Sequence, residues 1–71
     1  MNSDTLSFVV YMIHACAARW GKAPTEVYHL LDSTDCINSY LVQFYDVLHS
    51  LGSDYLVDDI QKYLSVRGVA V

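Results

Sequence analysis

Ile37, Tyr40, Leu41, Phe44, Val47, Leu48 and Leu51 recur at intervals of mostly three or four residues, and no other feature of the chain constrains its fold as strongly. At about 100° per residue they share an arc of roughly 120°, the width of the stripe that a helix turns toward a core. The stripe predicts a helix over 36–51, central to the molecule. A second stripe, Leu6, Val9, Val10, Ile13, Cys16, Ala17 and Trp20, predicts a helix over 4–20, with Ser3 or Asp4 capping its first amides and Gly21 ending it. Pro24 suits the first turn of a helix over 24–32, where its missing N–H costs nothing, with Val27, Leu30 and Leu31 inward and Glu26 near the positive end. The run Asp32, Ser33, Thr34, Asp35 competes for backbone hydrogen bonds and predicts a turn, with Asp35 placed to cap the next helix. After Gly52, Leu56, Val57, Ile60, Tyr63 and Leu64 give a last helix over 54–67 its inner face. The Val69–Val71 tail beyond Gly68 is expected to fray. No alternating strand of useful length is present, so the fold class is all-α, a compact bundle of four short helices in one domain.

A chain of 71 residues hides only about 60% of the surface of its unfolded form, which limits its stability to the order of a few kcal/mol. With 54% hydrophobic and 17% charged residues it is too apolar to stay disordered, and it carries more apolar surface than so small a core consumes. The net charge of −4 is uneven: from Ala23 to Gln61 there is no lysine or arginine, while seven of the eight acids fall there. Gripping phosphates takes several cations on one face, so nucleic acid and anionic membranes are disfavoured as partners. The longest apolar candidate, Leu6–Trp20, is interrupted by His14 and Arg19 and is too short to span a bilayer. Two cysteines inside or beside helical patterns, and an N-terminus without the features of a secretory leader, make a reducing cytoplasm the expected compartment.

Chemistry-bearing residues are sparse. Asp46 lies three residues before His49 and is placed to orient it as a general base, yet no nucleophile and no glycine-rich anion cradle accompany the pair. His14, His29, His49, Cys16 and Cys36 form neither a CxxC nor an HxxxH pair, so no metal and no cofactor is assigned. Cys16 reads as a small hydrophobe. Asp58 and Asp59 point about 100° apart on a helix, and Asp58 is spaced to pair with Lys62.

The surplus lies in the aromatics. Of six tyrosines, Tyr40 and Tyr63 fall on inner arcs, while Tyr11, Tyr28, Tyr45 and Tyr55 fall on flanks or outside. Exposed aromatics concentrate where proteins bind proteins, because they bury much area at low entropic cost. Phe8, Met12 and Ala15 form a second apolar strip on the first helix, which is therefore either sandwiched or half of an interface. The expected docking residues are Phe8, Tyr11, Met12, Val42, Tyr45, Asp46 and His49. The partner is a protein or a second copy of the chain. The alternative is a small helix-turn-helix regulator of DNA, whose reading helix would offer Asn38, Ser39 and Gln43 and no cation.

The stretch PTEVYHLLDSTDCINSYLVQFYDVLHSLGSDYLVDDIQKYL resembles the small bacterial family catalogued as domain of unknown function three-seven-nine-one, whose hallmark is a YDVLH segment, a short break and a YLVDDI-like helix. The resemblance rests most on Tyr45, Asp46, Leu48, His49, Tyr55, Asp59 and Ile60. It implies a single helical domain. Genes of this kind tend to lie beside genes for proteins resembling ADP-ribosyltransferases, an arrangement like that of toxin and antitoxin pairs, which implies a binding or neutralising role. Ala23 departs from the serine that similar sequences often carry before the proline, so the second helix is expected to be less firmly capped.

Overall fold

A computed structural model describes residues 1–71, and every regular element in it is helical. The order is α1 (Ser3–Trp20), α2 (Pro24–Ser33), a π-helical segment (Ile37–Val42), α3 (Tyr45–Leu48) and α4 (Ser53–Val66). The all-α fold class follows directly. The cap of α1 falls one position before the predicted ones: Asn2 Oδ1 accepts from the Thr5 N–H at 2.8 Å. Gly21 closes α1 at φ 65, a conformation that costs glycine no Cβ clash. Pro24 opens α2 as expected, and Ala23 before it supplies no side-chain cap.

The predicted helix over 36–51 is not continuous, and the reason is local. Thr34 Oγ1 donates back to the Leu30 carbonyl at 2.8 Å, and Asp35 takes a left-handed φ of 59, which a short polar side chain tolerates. The chain then winds as a π coil, in which the Gln43 N–H reaches five residues back to the Asn38 carbonyl at 3.2 Å. A wider turn advances each side chain through a smaller angle, so the apolar stripe slips out of phase with the core. Ile37, Leu41 and Leu48 remain buried, whereas Phe44, Val47 and Leu51, assigned inward by the 100° rule, face solvent. At Phe44 the backbone leaves the helix (φ −107, ψ 22), and α3 resumes for one turn only.

Around α1 the core is rotated from its predicted arc. Helix α1 packs against α2 and the π segment on one flank and α4 on the other, so its contact stripe centres on Val9 and Cys16, with Thr5, Met12, Ile13 and Ala17 beside them. Leu6 and Val10, expected inside, are exposed. Met12, expected on the docking surface, is 0% exposed and belongs to the core. The helix with apolar residues on two sides is thus sandwiched.

Helix α4 buries Leu56, Val57, Ile60 and Leu64 as predicted. Its end does not fray: Gly68 adopts φ 80, its N–H donates to the Ser65 carbonyl at 3.0 Å, and the Val69 N–H donates to the Leu64 carbonyl at 2.9 Å. Val69 and Val71 then pack onto the core. Two phenols tie α4 to the middle of the chain. Tyr63 donates to the Thr34 carbonyl at 2.9 Å, and Tyr40 donates to the Asp59 carboxylate. Asp58 does not pair with Lys62. Arg19 of α1 donates to it at 2.7 Å and to Asp54 at 3.3 Å, joining α1 to α4.

Candidate functional site

Phe8, Tyr45 and His49 meet where α1 passes α3. The one-turn α3 turns Tyr45 and Leu48 toward the core, which sets the Tyr45 ring edge-on against Phe8 at a centroid distance of 5.4 Å. One turn later the His49 ring stacks on Tyr45 at 4.7 Å and an interplanar angle of 18°. His49 Nδ1 lies 2.8 Å from the Tyr45 carbonyl. A carbonyl only accepts, so Nδ1 carries the proton and Nε2 points away from that bond. Asp46 is exposed and makes no hydrogen bond to His49, so the general-base arrangement expected from their spacing is not built.

Of the seven expected docking residues, six lie at or near the surface. Phe8, Val42 and Tyr45 are half-buried and lean on the core, Tyr11, Asp46 and His49 are exposed, and Met12 is inside. Beside them runs a strip that the helical period of the sequence assigns to the core. Phe44, Val47 and Leu51 sit at i, i+3 and i+7 and are 47%, 63% and 42% exposed. The only sequence signal for that outcome is the polar pair Asn38–Ser39 next to the turn. Ser39 is held there by a hydrogen bond to the Asp35 carboxylate, which anchors the start of the π coil.

Elsewhere the reactive groups have structural work. Cys16 and Cys36 are both buried and unpaired, and burial pushes each thiol up to about 12, the state of an inert small hydrophobe. Burial, followed by the bond to Asp59, raises the Tyr40 phenol above its ordinary value. No three histidine, cysteine, aspartate or glutamate side chains gather in a metal-binding group. Among the residues that carry the family resemblance, Leu48 and Ile60 fill the core and Asp59 receives Tyr40, while Asp46 and Tyr55 face solvent with no side-chain hydrogen bond.

The arrangement defines a small all-helical domain with an aromatic stack and an apolar strip on one side. Residues 7–67 match the family described as protein of unknown function (DUF3791), and the chain belongs to that family. No curated protein and no solved structure matches it. No helix is long and apolar enough to cross a membrane.

Proposed function

We propose that the chain is a non-enzymatic protein-interaction module, whose docking face combines the Phe44–Val47–Leu51 strip with the Phe8–Tyr45–His49 stack. The observation that carries this reading is the strip itself: three large apolar side chains at helical spacing, each more than 40% exposed, in a molecule of 71 residues. An amphipathic face of this kind stabilises a complex by the area it removes from water. Asp46, exposed within the same turn and without a cation partner, selects a partner with a basic rim. The family resemblance supplies the partner to try first, the product of a neighbouring gene resembling an ADP-ribosyltransferase, with this chain as the neutralising component of the pair.

Val47→Asp places a charge in the centre of the strip and is expected to weaken capture of that partner by about ten-fold or more while the helical circular dichroism is retained. The pair Val42→Ala and His49→Ala separates docking from packing. Partner affinity falls under this reading, whereas an unchanged affinity with a large drop in melting temperature removes those two residues from the interface. Direct DNA binding, the competing reading, would declare itself as operator affinity that weakens steeply as salt rises.

A further inference from the structure

On the flank of α1 away from the aromatic stack lies an open apolar groove of about 370 Å3. Its walls are Leu6, Val10 and Ile13 of α1, Tyr28 and Asp32 of α2, and Ile37 at the start of the π segment. It exists because the core of α1 centres on Val9 and Cys16, which leaves Leu6 53% and Val10 45% exposed opposite a Tyr28 that is 44% exposed. A small-molecule site encloses most of its ligand, and walls left half open to water do not. A run of side chains suits such a trough. From Leu6 to Ile13 the wall extends about 10 Å at 1.5 Å per residue, which matches anchors at i, i+4 and i+7 of a second helix.

Charge identifies the helix that fits. Asp32 is the one ionisable wall residue that is charged at neutral pH, and no cation pairs with it. The nearest cations in sequence are already engaged, Arg19 by Asp54 and Asp58, and Lys22 by Glu26 at 3.4 Å. No lysine or arginine occurs from Ala23 to Gln61. A helix carrying aspartate or glutamate beside its apolar face meets repulsion here, and one carrying lysine or arginine meets an unpaired carboxylate. We propose that this groove is a second docking site, and that its occupant is a cationic amphipathic helix of a protein partner, its apolar residues on Leu6, Val10 and Tyr28 and a basic residue on Asp32.

The probe is a short leucine–lysine peptide that forms an amphipathic helix, titrated into the isotopically labelled full chain, with a leucine–glutamate peptide of the same pattern as its counterpart. The lysine peptide is expected to shift the amides of Leu6, Val10, Ile13, Tyr28 and Asp32 and to bind at least about ten-fold tighter than the glutamate peptide. Asp32→Asn, isosteric and exposed, is expected to weaken the lysine peptide about two- to five-fold, and Val10→Glu by about ten-fold or more. Equal binding of the two peptides, affinity unchanged by Asp32→Asn, shifts confined to Phe44, Val47 and Leu51, or no shift at all would each overturn the assignment. The readout is on the α1–α2 flank, so its failure leaves the partner test on the α3 strip standing.

Discussion

Met12 and Tyr11 are neighbours on α1 with opposite fates, and the difference is measurable. Met12 is fully enclosed between α1, α2 and α4, so Met12→Ala leaves a cavity and is expected to cost about 2–5 kcal/mol. For a chain whose total stability is on the order of 4–10 kcal/mol, that is a large fraction. Tyr11 is exposed, and Tyr11→Ala is expected to stay within about 0.5 kcal/mol. Urea midpoints of the two variants test the pair, and comparable losses would mean that α1 is rotated from the position described. The buried thiols give a second residue-scale prediction. In the folded chain Cys16 and Cys36 hold their protons up to about 12, whereas unfolded thiols release them near about 8.5. Above that lower value the folded state binds more protons than the unfolded one. The stability contribution is therefore complete below about pH 8.5 and is lost as pH rises toward 12, at roughly 1.4 kcal/mol per pH unit for each thiol. Urea unfolding under reducing conditions at pH 7, 9 and 10 should give falling midpoints, and a flat profile would contradict the burial of the thiols.

Among the elements, the π segment decides the most. A π coil holds one residue more per hydrogen-bonded ring than an α-helix, so removing one residue from it restores α-type spacing without rotating the residues beyond it. Deleting Ser39 is therefore expected to keep the fold, with Leu48 still inside and Val47 still outside. Deleting Asp58 from α4 instead turns Ile60 and Leu64 by about 100° away from the core and should unfold the chain. Circular dichroism and thermal melting of the two deletions test this, and equal unfolding by both would contradict it. The same element explains what is legible in the sequence. Helix α4 and the bounds of α1 and α2 are readable because Gly21, Pro24 and Gly68 act through local backbone geometry, and because Leu56, Val57, Ile60 and Leu64 keep a strict helical period. The interior of 36–51 is not, because the 100° rule presumes an α ladder and the chain leaves it between Asn38 and Phe44. That slip moves Phe44, Val47 and Leu51 from expected core to observed surface. Tyr45 and His49 lie on a flank as their spacing predicts, and their stacking on each other and on Phe8 depends on a tertiary approach that no spacing encodes.

For the molecule as a whole, the exposed apolar side chains do not reflect loose packing. The radius of gyration is 10.9 Å, against about 11 Å expected for a compact domain of this length. The accessible surface is 4243 Å2, against about 4,500 Å2 for a folded monomer of the same mass. The chain is as condensed as its size allows and still leaves Phe44, Val47, Leu51, Leu6, Val10 and Tyr28 in water. That surplus comes from composition, and burial against another molecule is the process that relieves it. The account's central claim is that the α3 strip docks a protein, and sedimentation equilibrium of the chain, alone and mixed with the product of its neighbouring gene, tests it most directly. Wild type is expected to form a species heavier than the 8.0 kDa protomer, alone or in the mixture, and Val47→Asp to remain at that mass. A wild-type chain that stays at 8.0 kDa in both samples would contradict the claim.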